Sequence, residues 1–196
     1  MLNEANLFFI FLSAFLINNI LLIRFLGLCS FIGISTNVKS SIGMGIAVVF
    51  VTVMACSLSW VVYNFLLVPF GLEYLRTTTF ILTIASFVQF EEMIIRKKLP
   101  TLYRAFGIYL PLITTNCAIL ASAFLGIDYK LSFIQNIFFS LGISSGYCFV
   151  IIIFATIREE IEIAPIPENF KGIPIAFILA ALMSLAFLGF KGLFKL

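Results

Sequence analysis

Between Ser40 and Leu72 the chain reads SSIGMGIAVVFVTVMACSLSWVVYNFLLVPFGL, without one Asp, Glu, Lys or Arg. A membrane-spanning helix needs about 20 mainly apolar residues, and this run exceeds that. Working outward, four more charge-free runs of similar order appear: Ala5–Ile23, Ala105–Ile127, Leu131–Ile157 and Gly172–Phe190. A shorter one, Thr77–Phe90, reaches spanning length only by taking in Glu91, Glu92 and the apolar Met93–Ile95. That span therefore ends with carboxylates near one membrane face. The expectation is an all-α integral membrane protein of six transmembrane helices.

Composition points the same way. Of 196 residues, 62% are hydrophobic and 11% charged, and mean hydropathy is +1.18. Soluble domains carry roughly 45–50% apolar and about 25% charged residues. A chain this short has too little interior to hide the excess. No stretch is long and polar enough to form a soluble domain. The first run has no basic residue before it and no small-residue cleavage pattern after it, so it reads as a retained span rather than a signal peptide.

The net charge of +3 reports loop topology rather than nucleic-acid binding. Arg24, Lys39, Arg96, Lys97, Lys98, Arg104, Arg158 and Lys171 fall on the side of loops one, three and five, whereas Arg76, Lys130, Lys191 and Lys195 fall on the other. The positive-inside rule then puts the Arg96–Arg104 loop in the cytoplasm and both termini on the outer side.

Leu99–Pro100 divides the chain into two halves, residues 1–98 and 99–196, of three spans each. Ser41-Ile-Gly-Met-Gly45 in the second span is echoed by Gly142-Ile-Ser-Ser-Gly146 in the fifth, Cys56 by Cys148, and Cys29 by Cys117. With three spans per half, the second half crosses the membrane in the opposite sense. The expected architecture is thus two inverted three-helix repeats in one membrane domain, with equivalent residues approaching the midplane from opposite faces.

Two segments break the helical pattern. Asn18 to Ser35 stays apolar past the expected end of the first span, yet holds Arg24, Gly27 and Gly33; Gly107 to Ala118 places Pro111 in the middle of the fourth. Proline removes a backbone donor and clashes with the preceding turn. Unwound backbone at membrane depth persists only where protein or a cavity satisfies it, and matched interruptions in two halves point to a functional site. Half-helix N-termini there would present N–H groups that favour an anionic guest.

Cys29 and Cys117 lie at these breaks. Two readings stand for them: thiolate ligands of a metal centre, or small buried apolar fillers, which free cysteines often are. A disulfide between them is a third option, but oxidised pairs belong to the exported side rather than the midplane. The chain has no histidine, which removes Rieske-type clusters and histidine-ligated haem. Two cysteines supply half of a four-cysteine site; the rest would come from another protein chain or from Cys56 and Cys148. Both of these sit in plain apolar helix, where filling is the better reading.

Other polar residues invite paired readings. Asn18, Asn19 and Asn116 either hold broken backbone or bond between helices. Glu92 either pairs with Arg96-Lys97-Lys98 at the surface or lines an ion pathway. The Arg158, Glu159, Glu160 and Glu162 cluster reads as a solvated loop or docking face. Gly27, Gly43 and Gly45 read as close helix packing.

Phe25-Leu-Gly-Leu-Cys-Ser-Phe31 and Gly107-Ile-Tyr-Leu-Pro-Leu-Ile-Thr-Thr-Asn-Cys-Ala118 resemble the two signature segments of a known family. Its members include the RnfA component of the Rnf complex and the homologous NqrE component of the sodium-translocating NADH:quinone reductase. Val88-Gln-Phe-Glu-Glu-Met93, Ile157-Arg-Glu159 and Gly189-Phe-Lys-Gly192 resemble it too, and the similarity runs from about Leu16 to the C-terminus.

The resemblance implies a bacterial inner-membrane electron-transfer subunit of an ion-translocating ferredoxin:NAD oxidoreductase, coupled to Na+ or H+ transport. It implies a [2Fe-2S] cluster shared with a homologous, RnfE-like subunit of opposite topology. Cys29 and Cys117 would be this chain's ligands, supported by Gly27, Leu28, Pro111, Thr115 and Asn116. Further implied partners are the B, C, D and G components of the Rnf complex, with ferredoxin and NAD reached indirectly; no nucleic acid is expected. A membrane about 40–45 Å thick is too wide for one electron hop, so a midplane station answers a physical need. No nucleotide, flavin or quinone motif is present, so turnover by this chain alone is not expected. Two readings of other classes are a secondary transporter, whose folds also use inverted repeats and broken helices, and a scaffold subunit with buried cysteines.

Overall fold

The computed structural model describes residues 7–17, 19–35, 37–98, 113, 116–163, 167 and 170–189, the side chains at 17, 94–96, 98 and 162 excepted. Among the described residues all regular structure is helical. Helix α1 (Leu7–Leu12) runs into a widened π turn, Ser13–Ile17. Two short helices follow, α2 (Ile20–Arg24) and α3 (Leu28–Ile34). Then come α4 (Val38–Val62), α5 (Arg76–Lys98), α6 (Cys117–Asp128), α7 (Phe133–Ile163) and α8 (Ile173–Leu188).

Local chemistry explains several ends. Asn37 caps α4, accepting the Lys39 amide at 3.3 Å. Beyond Val62 the helix widens into a π turn, Tyr63–Leu67, directly before Pro69. Proline cannot donate to the preceding turn, and an enlarged turn relieves its ring. Gly71, at φ 63°, then ends the run. Helix α7 starts on Ser132, whose amide is held by the Gln135 side chain at 3.0 Å, half of a capping box.

Helices α4 and α7 form the spine. Val38 meets Glu159, Gly45 meets Cys148, Cys56 meets Asn136, and Trp60 meets Leu131. Numbers rise along one helix as they fall along the other, so the pair is antiparallel. At about 1.5 Å per residue the contact runs about 33 Å, close to the roughly 30 Å of bilayer hydrocarbon. Helices spanning Val38–Phe70 and Phe133–Ile161 are each long and apolar enough to cross a membrane.

The polarity of α4 is inside out. Its exposed side chains include Ile42, Ile46, Phe50, Met54, Leu58 and Val61, one per turn along the outer face. Its buried face carries Ser41, Met44, Gly45, Val48, Thr52, Cys56 and Ser59. Water would reverse that arrangement, whereas in lipid large apolar groups face out and small or polar groups face other helices. Buried hydroxyls donate locally, as Thr52 does to the Val48 carbonyl at 2.6 Å and Ser144 to Ser140 at 2.7 Å.

The remaining helices pack on this spine. Gly142 and Gly146 of α7 lie against the backbone of Phe11 and Phe15. Ser184 of α8 donates to the Leu22 carbonyl at 2.7 Å. Arg76 pairs with Asp128 at 2.8 Å and stacks over Phe124, joining α5 to α6.

One sequence expectation changes. The cluster read as a solvated loop, Arg158 to Glu160 with Glu162, lies inside α7, which continues to Ile163. Arg158 is buried, donating to the Ile32 carbonyl at 2.8 Å and to Ser35 Oγ at 2.9 Å. Glu159 accepts the Val38 amide at 3.0 Å. A guanidinium thus closes the carbonyl end of α3 while a carboxylate meets the amide end of α4, each charge opposing a helix dipole. The Leu99–Pro100 boundary between the halves lies outside the described residues, as does Asn18.

Candidate functional site

The first break is built by three residues. Helix α2 ends where Phe25 turns left-handed at φ 53°. Gly27, at φ 87°, is the N-cap of α3, so Leu28 and Cys29 form the helix's first turn. Ser30 Oγ donates to the Gly27 carbonyl at 2.9 Å, and the Phe31 amide reaches the same oxygen at 3.1 Å. Glycine is required at 27 for its φ and for space. A Cβ there would lie 2.9 Å from Asn116 Oδ1 and 3.3 Å from the Ala118 Cβ.

The second break ends at Asn116, whose backbone is extended. Its amide reaches the Ile113 carbonyl at 3.1 Å, and its Oδ1 caps α6 by accepting the Ala118 amide at 3.0 Å. Cys117 is the first residue of that helix. Because Gly27 abuts both Asn116 and Ala118, the two breaks are in contact, each placing a cysteine in a helix's first turn. Pro111 and Thr115 lie outside the described residues.

The four cysteines, all thiols, fall into two kinds. Cys29 and Cys117 are exposed on the chain's surface. Cys56 is buried with its sulfur 3.1 Å from Ser122 Oγ, and Cys148 is half-buried with its sulfur in the space that Gly45 leaves. The filler reading fits Cys56 and Cys148; the exposure of Cys29 and Cys117 is at odds with it. Among the described residues no group of three or more His, Cys, Asp and Glu could hold a metal ion.

Asn19 combines both roles weighed for it. Its Oδ1 caps α2 through the Leu21 and Leu22 amides at 3.1 and 3.4 Å, while its Nδ2 donates to Gly146 O of α7 at 3.2 Å. Asn116 caps α6, but its Nδ2 is buried with no hydrogen-bond partner. Such a donor is costly to leave unmet.

Sequence reasoning passed over Tyr147. It is buried in α7 with its hydroxyl 2.8 Å from Ser30 Oγ. The available signal was a phenol inside a mainly apolar helix, since buried tyrosine needs a partner for its polar tip. Of the basic residues weighed as partners for Glu92, the side chains of Arg96 and Lys98 lie outside the described ones.

A family model described as "Rnf-Nqr subunit, membrane protein" matches residues 7–194. Among curated proteins, three relatives are each named as the A component of an ion-translocating oxidoreductase complex. The one from Photorhabdus laumondii is 50% identical over 188 residues, covering 96% of this chain and 97% of its own length. That from Aeromonas salmonicida is 50% identical over 184 residues, covering 94% and 95%. A third, from Vibrio cholerae serotype O1, is 52% identical over 181 residues, covering 92% and 94%.

Proposed function

The chain belongs to the Rnf-Nqr family of membrane subunits, and from that premise we propose that it is the electron-carrying membrane subunit of an Rnf-type ion-translocating oxidoreductase complex. Its relatives carry the name of the A component of such a complex. In this reading the chain spans a bacterial membrane six times as two inverted three-helix halves, termini outside. The first and fourth spans are broken near the midplane, and electron passage is coupled to Na+ or H+ movement. Cys29 and Cys117 hold half of a [2Fe-2S] centre, and a homologous subunit of opposite topology supplies the other two thiolates.

The observation that carries this is the pairing of the two breaks. Gly27 abuts Asn116, and each break delivers an exposed cysteine on a helix's first turn. The donor set fits the group. Two exposed thiols supply half of the four needed, and the buried Asn116 Nδ2 is a donor suited to an anionic sulfur acceptor. When bound, the cluster supplies reversible one-electron transfer. The chain's own part is to hold two thiols in place, to direct the positive end of α6 at Cys117, and to keep water away with the apolar helices around them.

Purifying the whole complex and replacing Cys29 or Cys117 by Ser tests the reading. The native complex should contain iron and give a [2Fe-2S] EPR signal, which each variant loses while the assembled subunits remain. An iron-free native complex would leave a transporter or scaffold role. Co-purified subunits distinguish Rnf from the homologous NADH:quinone reductase: a cysteine-rich ferredoxin-like neighbour favours the first.

A further inference from the structure

Tyr147 sits where the two cysteine-bearing helix starts meet. Its side chain is 1% exposed, and its oxygen lies 2.8 Å from Ser30 Oγ. Ser30 has one hydroxyl proton and gives it to the Gly27 carbonyl, so the Tyr147 hydroxyl must donate to Ser30. The Tyr147 ring and the Asn116 side chain meet at Gly27, where a Cβ would lie 3.4 Å from Tyr147 Cε2 and 2.9 Å from Asn116 Oδ1. Asn116 uses Oδ1 for the Ala118 amide and keeps a buried Nδ2 with no partner at hydrogen-bond distance. A hydrogen-bonded chain therefore runs from Tyr147 through Ser30 to Gly27, two residues before Cys29, and Gly27 packs against Asn116, next to Cys117.

We propose that Tyr147 is a positioning residue that ties the starts of α3 and α6 together from α7 and so sets the spacing of the Cys29 and Cys117 thiols. What that spacing serves rests on the ligand reading given above. The anchor is rigid because α7 is packed along its length on α4, and a site is held best by groups locked onto such a scaffold. Phenylalanine would fill the ring's volume yet remove the bond to Ser30, cutting the tie from α7 to the start of α3.

Two measurements on the complete complex test this. After iron chelation, a short bifunctional thiol reagent is applied and the Cys29–Cys117 cross-linked peptide is quantified by mass spectrometry. In the untreated complex the midpoint potential and EPR line shape are recorded. Tyr147→Phe should slow cross-linking about fivefold, the factor of one ordinary hydrogen bond, and shift the potential. Ser30→Ala cuts the same chain one bond away and should do the same, with no further loss in the double variant. Ser144→Ala removes a hydroxyl bonded within α7 and should change neither readout. Wild-type cross-linking in both Tyr147→Phe and Ser30→Ala would overturn the positioning role, even with a normal cluster signal. Slowed cross-linking in a native complex that lacks iron would uphold it while the cluster reading falls.

Discussion

Gly45 and Gly27 are both glycines pressed against a neighbouring segment, yet they serve opposite ends. Gly45 lies within α4, and a Cβ there would overlap the Cys148 sulfur. It lets two straight helices approach closely, the usual device of membrane bundles. Gly27 lies between two short helices at φ 87°, and a Cβ there would crowd Asn116 Oδ1. It lets the chain reverse so that two helix starts meet. The spine turns its polar groups inward: Asn136 Nδ2 reaches the Cys56 carbonyl at 3.1 Å, while Asn136 Oδ1 and Ser59 Oγ are buried without a partner. What sets the breaks apart is that they present two exposed thiols, each on a helix's first turn. Regularity supplies the scaffold, and the departures from it supply the chemistry.

The hardest blow to that contrast is Gly45→Val. The added carbons have no room beside Cys148, and overpacking of this kind costs about 3 kcal/mol. Folded yield and thermal stability in detergent should fall sharply. The swap Gly45→Cys with Cys148→Gly moves the sulfur across the contact at nearly constant volume and should recover most of the loss. A stable Gly45→Val protein would mean that the spine does not depend on close approach.

Much of the spine was legible because it depends on hydropathy alone. The charge-free run from Ser40 to Leu72 appears as a helix from Val38 with its π turn and Pro69 step. The breaks were read from Gly27 and from Pro111, residue types that mark turns and interrupted helices, and Pro111 lies outside the described residues. Those neighbours set Cys29 and Cys117 apart from Cys56 and Cys148. What local pattern could not reveal were partners far along the chain. Tyr147 reaches Ser30 across 117 positions. Arg158 reaches Ile32 across 126. In sequence Arg158 is one charge in a charged cluster; only the fold brings a helix's carbonyl end to it.

Arg158 also sharpens the contrast, because it joins the spine to the break region. Arg158→Ala removes a charged donor from the Ile32 carbonyl and Ser35 Oγ, a loss of about 2 kcal/mol. The α4–α7 contact should survive, so the protein should fold with a lower melting temperature. Proteolysis should rise selectively around residues 32–37. Arg158→Lys should recover only part: one nitrogen, Nη1, makes both bonds, and the lysine stem is shorter and its ammonium more strongly hydrated. Uniform loosening across all helices would show that the two regions are not separable.

The smallest effect concerns Phe25, a bulky residue left-handed at φ 53° with 45% of its surface exposed. Such a conformation costs a non-glycine residue about 1 kcal/mol, and glycine would adopt it without strain. The ring lies four residues from Cys29, on the break that the proposed partner would cover. Phe25→Gly should therefore act with opposite signs in two settings. The isolated chain should gain up to about 1 kcal/mol, less the extra freedom that glycine gives the unfolded state. The assembled complex should lose the ring's burial and dissociate more readily on a native gel. Opposite shifts would mean that the strain is kept for a partner, as stored strain at functional sites is; shifts of the same sign would tie Phe25 to the fold of this chain alone.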